Sequence, residues 1–373
     1  MIDFNRPHLT GNEVKYIQEA VMEHRQISGN GFFTKRCQHF FEDRYGFKKC
    51  LLTTSCTDAL EMAAILCDVQ PGDEVIVPSY TFVSTALAFV RAGAKIVFAD
   101  SMGRNPNIDA EKIEELITPR TKVIVPVHYA GVACDMDRIM ELADRYSLFV
   151  VEDAAQAIDS YYKGRPLGSM GHFAAFSFHE TKNIISGEGG LLVVNDERFV
   201  RRAEIIWEKG TNRAEFYRGE VNKYGWCDTG SSFLPSEVSA AFLWAQLEEM
   251  NTIQAKRKAL WNQYYALLKP FAEKGLFRLP DIPDYATNNA HMFYLVCNTF
   301  EERTALIKHL KDNGIQAVFH YLSLHSSPYY LNKHDGRVLS NCDRYADCLV
   351  RLPMYFDMRE TDIDMIVREI SSR

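Results

Sequence analysis

Apolar residues in the first two-thirds of the chain alternate between short continuous runs and longer stretches with helical spacing. The short runs are apolar or β-branched on both faces, as in strands that helices cover on both sides of a sheet. They predict strands at residues 50–53, 74–77, 95–99, 122–127, 149–152, 174–178 and 190–194. Helical spacing lies between them, at residues 57–66, 81–92, 109–116 and 136–146. This alternation predicts an α/β fold with a mainly parallel, doubly wound sheet.

The pattern changes in the last third of the chain. Residues 233–250 and their continuation to residue 271 predict long helices that leave the sheet. A proline-containing polar stretch to Asn289 follows, and then a strand-like run at 291–296 and a helical run at 302–313. The 373 residues are long enough for two cores. We therefore predict a large domain at residues 1–250 and a smaller α+β domain at residues 251–373.

The composition is that of an ordinary globular protein, with 47% hydrophobic and 24% charged residues. A net charge of −7 argues against general binding to nucleic acid or to an acidic membrane. No apolar run reaches membrane-spanning length, and the N-terminus lacks the features of a signal peptide. Nine scattered cysteines without a Cys-x-x-Cys pair are typical of reduced thiols. These features predict a cytoplasmic protein without nucleic-acid or membrane partners.

The strongest candidate for chemistry is Lys182. It lies in the segment Ser-Phe-His-Glu-Thr-Lys-Asn at residues 177–183, between an apolar run and a glycine-rich turn at residues 187–190. A lysine that forms a Schiff base needs a dry pocket that lowers its pKa. Asp153 ends a predicted buried strand, where α/β sheets hold cofactors. Lysine and aspartate together are what pyridoxal 5'-phosphate (PLP) requires, although a surface lysine and a strand-terminal aspartate are the alternatives.

Three motifs resemble the DegT-type nucleotide-sugar aminotransferases, which have PLP fold type I. They are Val-Glu-Asp-Ala-Ala-Gln at residues 151–156, Ser-Phe-His at residues 177–179 and the Gly-Glu-Gly-Gly turn at residues 187–190. The similarity extends from residues 4–7 to residues 351–353. It implies an aspartate-aminotransferase-like fold whose N-terminal segment packs with the small domain.

The resemblance also assigns roles around the cofactor ring. Lys182 is the residue that holds PLP covalently and then moves protons during catalysis, and PLP alternates with its pyridoxamine form. Asp153 is the anion beside the pyridine nitrogen. Phe82 stacks on the ring, where core filling is its alternative role, and Gln156 lies near the phenolic oxygen.

A second group of residues is expected at the cofactor phosphate. Ser55, Cys56 and Thr57 follow a predicted strand and open a helix, which makes either an anion site or an ordinary N-cap. The resemblance assigns Ser55, the N–H of Cys56, Thr57 and Ser177 to the phosphate. Ser232 stands where most relatives have an asparagine that reaches the neighbouring subunit's phosphate. We therefore expect a homodimer with shared active sites.

The resemblance places substrate contacts at five further residues. Tyr80 follows a predicted strand, and His320, Tyr321 and His325 belong to a segment like the family's small-domain substrate loop. The histidines lack a third clustered ligand, so we predict no metal site. Arg213 is a candidate for the nucleotide phosphates, because arginine can bind phosphate through two hydrogen bonds, and a surface position is its alternative.

Four blocks resemble the family members that aminate C4 of a sugar linked to thymidine diphosphate (TDP). They lie at residues 29–31, 34–38, 125–134 and 208–213. They imply conversion of TDP-4-keto-6-deoxy-D-glucose to TDP-4-amino-4,6-dideoxy-D-galactose, with L-glutamate as donor and 2-oxoglutarate as by-product. Such a sugar serves cell-surface polysaccharides such as lipopolysaccharide O-antigen or enterobacterial common antigen.

Several alternatives stay open from the sequence alone. Within the family they are amination at C3, a gluco product and a uridine carrier. From other classes they are a PLP-dependent sugar dehydratase and a regulator that only binds PLP. The related dehydratases have a histidine in place of the lysine, so Lys182 argues against the first of these.

Overall fold

The computed structural model describes residues 1–372. Its helices are α1 (Glu13–Met22), α2 (Phe32–Tyr45), α3 (Cys56–Leu66), α4 (Val83–Arg91), α5 (Met136–Tyr146), α6 (Val200–Trp207), α7 (Arg213–Tyr217), α8 (Glu237–Glu248), α9 (Met250–Ala272), α10 (Phe300–Asp312), α11 (Ser340–Cys348) and α12 (Glu360–Ser371). Its strands are β1 (Lys49–Thr53), β2 (Glu74–Pro78), β3 (Lys95–Ala99), β4 (Thr121–Ile124), β5 (Phe149–Asp153), β6 (Tyr161–Tyr162), β7 (Arg165–Pro166), β8 (Phe173–Ser177), β9 (Gly190–Val194), β10 (Phe293–Val296), β11 (Val318–Phe319) and β12 (Leu349–Leu352).

The central sheet has seven strands in the order β1-β9-β8-β5-β4-β2-β3. Strand β9 runs antiparallel to both of its neighbours, and the remaining pairs are parallel. Strands β8 and β9 are joined by a loop without a helix, whereas parallel neighbours are usually connected through a crossover helix. The prediction of an α/β fold with a mainly parallel sheet is confirmed.

Side chains that alternate along each strand bury against helices on the two faces of this sheet. Leu51 and Val151 face one core, which contains α3 and α4. Leu52 and Val150 face the other, which contains α2, α5 and α8. Each such side chain contributes about 1.5–3 kcal/mol when it is fully removed from water. The three layers fix the carboxyl ends of the strands, where the predicted site residues lie.

Some predicted element boundaries were wrong. The helix expected at residues 109–116 is instead two short 3₁₀ turns, Ala110–Lys112 and Glu114–Leu116. The helix expected from residue 233 begins at Glu237. There the Ser236 hydroxyl accepts a hydrogen bond from the N–H of Ser239 and caps the helix after Pro235.

A smaller antiparallel sheet of order β10-β12-β11 lies in the C-terminal part of the chain. Its core contains residues of α9, α10 and α12, and Ile2 joins it through a bridge to Ile315. Helix α9 starts in one core of the large sheet, through Met250 and Ile253, and continues into the small core. We therefore propose a domain boundary near residue 250, with the N-terminal segment packed on the small domain.

The longest helix, α9, has 23 residues and buries Trp261, Tyr264 and Leu268 along one side. Charged residues such as Lys258 and Lys269 interrupt its apolar positions. Within residues 1–372, no helix combines the length and the apolar character that crossing a bilayer requires.

Candidate active site

A cavity of about 430 Å³ opens at the carboxyl ends of the parallel strands. Asp153 ends β5 and Ser177 ends β8, and both side chains line it. This is the edge at which open α/β sheets bind ligands. Ten of the predicted site residues line the cavity, namely Ser55, Cys56, Thr57, Phe82, Asp153, Gln156, Ser177, Lys182, His320 and Tyr321. Thr85, His291 and Arg351 line it as well.

Lys182 lies in the loop between β8 and β9. The loop is held by a hydrogen bond of 2.8 Å from the N–H of Phe178 to the carbonyl of Gly189, and by one of 2.9 Å from the N–H of Lys182 to the carbonyl of His179. Burial lowers the pKa of Lys182 to about 8, and the charge of Arg351 acts in the same direction. The neutral fraction of this amine near physiological pH is therefore far larger than that of an ordinary lysine, as a nucleophile or a base requires.

Asp153 is only 5% exposed. Its Oδ2 accepts a hydrogen bond of 2.7 Å from the Thr85 hydroxyl, and its Oδ1 accepts one of 3.1 Å from the N–H of Ala155. Burial raises the pKa of Asp153, whereas these two hydrogen bonds oppose the rise. The side chain is thus a fixed, buried carboxyl group in the same cavity as Lys182.

The start of α3 forms a third wall of the cavity. Ser55 is the N-cap, and its Oγ accepts a hydrogen bond of 3.1 Å from the N–H of Asp58. The Thr57 hydroxyl donates to Ser84 at 2.8 Å. Strand β9 passes this turn so closely that a Cβ on Gly190 would lie 2.3 Å from the carbonyl carbon of Ser55. The helix N-terminus is therefore held against the cavity, where it can bind an anion.

Phe82 and Gln156 enclose the space between these groups. Phe82 is 56% exposed at the start of α4, and its ring centroid lies 6.0 Å from that of Tyr321. The side-chain amide of Gln156 donates to the Tyr321 hydroxyl at 3.1 Å and accepts from the N–H of Ala130 at 2.6 Å. Lysine, buried carboxyl group, anion site and aromatic wall meet in one cavity, and this set fits PLP.

Two histidines line the cavity in neutral form. Burial lowers the pKa of His291 and of His320 well below the ordinary value, and the nearby Arg351 and Lys182 charges add to this effect. His291 Nδ1 lies 2.9 Å from Asn183 Oδ1, and His320 Nδ1 lies 3.0 Å from the Tyr129 hydroxyl. Among residues 1–372, no group of three or more His, Cys, Asp or Glu side chains could hold a metal ion.

Four predicted contact residues lie outside the cavity lining. Tyr80 is 1% exposed, with its ring centroid 6.0 Å from that of Tyr321. His325 contacts the Ser79 hydroxyl at 2.8 Å. Arg213 Nε lies 3.5 Å from a carboxylate oxygen of Glu208. Ser232 is exposed, and its backbone forms an isolated antiparallel β-bridge with that of Glu208.

Thr85, His291 and Arg351 are polar residues of the cavity lining that had not been predicted from the sequence. Thr85 had a weak signal, because it lies one helical turn after Thr81 and three residues after Phe82. Arg351 had a clearer one, since it interrupts the apolar strand Leu349–Leu352, and charged residues are rarely placed in such strands. His291 precedes an apolar strand and had no distinguishing neighbour.

The chain is similar to known aminotransferases over nearly its whole length. The model of the DegT/DnrJ/EryC1/StrS aminotransferase family matches residues 7–371. The chain is 34% identical to GDP-perosamine synthase of Caulobacter vibrioides, over 97% of this chain and 95% of that protein. It is 32% identical to the spore coat polysaccharide biosynthesis protein SpsC of Bacillus subtilis, over 95% of this chain and 94% of that protein.

A solved structure supports the fold. The aminotransferase from Psychrobacter cryohalolentis superposes with a TM-score of 0.91 at 28% identity, over 98% of this chain and 97% of that one. The family is PLP-dependent, so the expectations of an aminotransferase and of this cofactor are confirmed. The chain belongs to the DegT/DnrJ/EryC1/StrS aminotransferase family.

Proposed function

We propose that this enzyme transfers the amino group of L-glutamate to C4 of TDP-4-keto-6-deoxy-D-glucose. The products are TDP-4-amino-4,6-dideoxy-D-galactose and 2-oxoglutarate. The observation that carries amino-group transfer is the pair formed by Lys182, with its pKa lowered to about 8, and the buried Asp153 in one cavity. The choice of sugar rests on the sequence blocks at residues 34–38, 125–134 and 208–213.

Different residues of the cavity would bind the phosphate and the ring nitrogen of the cofactor. We assign the phosphate to Ser55, the N–H of Cys56, Thr57 and Ser177, because the α3 N-terminus offers donors to an anion. Asp153 would accept a hydrogen bond from the protonated ring nitrogen and so keep that nitrogen protonated. Bound PLP supplies the electron-withdrawing ring that makes the carbon beside the amine acidic.

Two side chains hold the ring between these ends. Phe82 packs against its face and excludes water, and Gln156, fixed by Tyr321 and Ala130, lies beside the phenolic oxygen. Both assignments rest on the motifs and on the position of each side chain in the cavity lining.

Lys182 moves the protons. Lys182 would hold the cofactor covalently until the amino group of glutamate displaces it, and its neutral Nζ would then take the proton from the α-carbon of glutamate. In the second half-reaction the same Nζ works in reverse and delivers a proton to C4 of the sugar. A pKa of about 8 suits both directions, since it lies near the operating pH. The two half-reactions alternate, which predicts ping-pong kinetics.

We infer further that two copies of the chain share their active sites. Ser232 is exposed and lies outside the cavity lining of its own chain, as expected of a residue that reaches the partner's phosphate. An isologous dimer is the commonest arrangement that supplies such a contact. Sedimentation that shows a fully active enzyme to be monomeric at assay concentration would refute the shared-site dimer. Arg213 and His325 stay proposals for substrate contact.

Analysis of the enzymatic product by NMR tests the sugar assignment. Incubation with TDP-4-keto-6-deoxy-D-glucose and glutamate should give an axial amine at C4. Nitrogen at C3 would overturn the regiochemistry, and an equatorial C4 amine would overturn only the stereochemistry. Parallel reactions with guanosine- and uridine-linked ketosugars test the carrier, since one relative is named for a GDP-linked sugar.

Lys182 and membership of an aminotransferase family disfavour the dehydratase and the non-catalytic regulator. We propose a role in cell-surface polysaccharide synthesis, to which the relative named for spore coat polysaccharide lends support. O-antigen and enterobacterial common antigen are the candidate destinations, and the cytoplasmic location stays a prediction.

A further inference from the structure

Asn183 follows Lys182 directly, and its side chain is buried beneath the cavity. Its Nδ2 donates hydrogen bonds of 2.8 Å to Oε1 of Gln254 and of 2.9 Å to the carbonyl of Asn289. A backbone carbonyl can only accept, so this contact fixes the orientation of the Asn183 amide. Its Oδ1 is therefore an acceptor, and it receives a hydrogen bond of 2.9 Å from Nδ1 of His291. Both donors and the acceptor of this side chain are thus used inside the protein.

Asn289 forms a second set of buried hydrogen bonds beside the first. Its Nδ2 donates to the carbonyls of Gln156 and Ile158, at 2.8 Å each, and its Oδ1 accepts from the N–H of His291 at 3.0 Å. A Cβ on Gly131 would lie 1.9 Å from Oδ1 of Asn289, so a glycine is required there for the amide to fit. The Asn289 side chain therefore joins the turn after β5 to the segment that leads into β10.

The backbone of that segment is strained at the centre of these bonds. Ala290 is fully buried and has a φ of +55°, which residues with a Cβ rarely adopt. Arg257 of α9 donates from Nε to the carbonyl of Ala290 at 3.0 Å and from Nη2 to that of His291 at 2.7 Å. Strained backbone persists only where the surrounding contacts over-determine it, and it is concentrated at functional sites. The segment is thus a rigid support for the residues that it binds.

The two asparagines act on the loops that carry Lys182 and Gln156. One peptide bond joins Asn183 to Lys182, and Asn289 binds the backbone of Gln156 itself. None of these hydrogen bonds involves Nζ of Lys182, so the backbone is fixed while the amine stays free to move. We propose that Asn183 is a positioning residue for Lys182, and that Asn289 holds it at a fixed separation from Gln156.

This inference rests on the proposed function, because it concerns the residue that moves the protons. Nζ of Lys182 has to reach the α-carbon of glutamate in one half-reaction and C4 of the sugar in the other. A displacement of about 1 Å at a reacting group can lower a rate by about 100-fold. Because one fixed backbone position serves both reactions, loss of the Asn183 contacts should slow both by a similar factor.

The variants Asn183→Ala and Asn289→Ala test this role in the full-length protein. Asn195→Ala is the matched control, because Nδ2 of Asn195 also donates to two backbone carbonyls, those of Gly168 and Gly171, at 2.8 and 2.9 Å. Asn195 follows β9 and does not line the cavity of Lys182. The control thus removes a comparable pair of hydrogen bonds at a distance from the proposed chemistry.

Single-turnover rate constants, expressed per bound cofactor, measure the two half-reactions independently of how much protein is folded. For Asn183→Ala we expect a fall of roughly 10- to 100-fold with both glutamate and the ketosugar. Asn289→Ala should slow both half-reactions in the same direction, and Asn195→Ala should match the wild type.

The cofactor-free protein gives a second readout, the pH midpoint of pyridoxal capture by Lys182. Burial places this midpoint at about 8 in the wild type. Asn183→Ala should move it upward, because a loosened loop lets water reach Nζ, whereas Asp153 and Arg351 keep their charges in the cavity. The midpoint of Asn195→Ala should stay at the wild-type value.

Wild-type rate constants or an unchanged midpoint in Asn183→Ala would overturn the inference. Equal losses in Asn183→Ala and Asn195→Ala would also overturn it, since they would reflect general destabilisation. A loss confined to one half-reaction would instead make Asn183 a contact for one substrate. A wild-type enzyme that transfers no amino group would overturn the proposed function, while the midpoint would still show whether Asn183 sets the surroundings of Lys182.

Discussion

Thr85 donates a hydrogen bond of 2.7 Å to Oδ2 of Asp153, from the first turn of α4 to the end of β5. Since the Thr85 proton is used in this bond, the Thr81 hydroxyl is the donor in its own 2.9 Å contact with Thr85. The two hydroxyls form a fully buried chain that ends on the carboxyl group. Asp153 is therefore oriented by a separate helix, as well as by the backbone of its own strand.

Thr85→Val should weaken catalysis without changing the shape of the site. The variant keeps the branched side chain but leaves Oδ2 of Asp153 without its partner, which costs about 1–3 kcal/mol for a buried acceptor. We expect kcat/KM to fall by roughly 10- to 100-fold in both half-reactions, because Asp153 acts on the cofactor in each. Stopped-flow kinetics with glutamate and with the ketosugar measure this.

Thr85→Ser is the control for that variant. It keeps the hydroxyl and should retain most of the wild-type rate. Equal losses in the serine and valine variants would mean that packing of the methyl group, and not the hydrogen bond to Asp153, is what matters.

The lowered pKa of Lys182 predicts a pH profile for the cofactor-free protein. Only the neutral amine attacks an aldehyde, so the rate of pyridoxal capture should rise with pH and level off above about 8. Arg351→Met should move this midpoint upward, because the Arg351 charge lowers the pKa of Lys182. Lys182→Ala gives the background from surface lysines. A midpoint near the ordinary lysine value of 10.5 would contradict the described environment.

The sequence revealed those parts of the site that lie in continuous motifs. Asp153 ends one apolar strand, Lys182 follows another, and these strands, β5 and β8, are adjacent in the sheet. Thr85 and Arg351 were not predicted, because both reach the site through packing between distant segments. Thr85 contacts Asp153, which lies 68 residues further along the chain, and Arg351 belongs to the small sheet. Such contacts cannot be predicted from the residues adjacent in the sequence. The antiparallel direction of β9 was missed for a related reason, since strand direction depends on the connection and not on the strand.

A buried hydrogen bond between a histidine and a carboxylate, beneath the site, should control stability. His128 Nε2 lies 3.0 Å from Glu152 Oε2, and both side chains are fully buried. Glu152 also accepts hydrogen bonds from the N–H groups of Gly168, Met170 and Gly171. Glu152→Gln should lower the free energy of unfolding by about 1–3 kcal/mol, because the amide that replaces the carboxylate cannot accept hydrogen bonds from all of these buried donors. Urea denaturation at pH 7 measures the loss, and Glu301→Gln on the exposed start of α10 is the control.

The same carboxylate predicts how stability depends on pH. Burial raises the pKa of Glu152, but hydrogen bonds from His128 and from the backbone outweigh burial and hold this pKa below its ordinary value of 4.5. Its contribution is therefore complete above that value and is lost as the pH falls through the folded-state pKa. Urea midpoints should thus fall more steeply with acid for the wild type than for Glu152→Gln. Parallel pH curves for the two proteins would show that Glu152 is not the group responsible.

In the proposed reaction, Lys182 moves the protons of amino transfer in a cavity that also holds Asp153. A single turnover with the purified holoenzyme and glutamate, quenched and assayed for 2-oxoglutarate, tests this role. The wild type should form one equivalent of 2-oxoglutarate per active site, and Lys182→Ala with PLP added should form none on the same timescale. Formation of 2-oxoglutarate by Lys182→Ala at the wild-type rate would show that another group moves the proton.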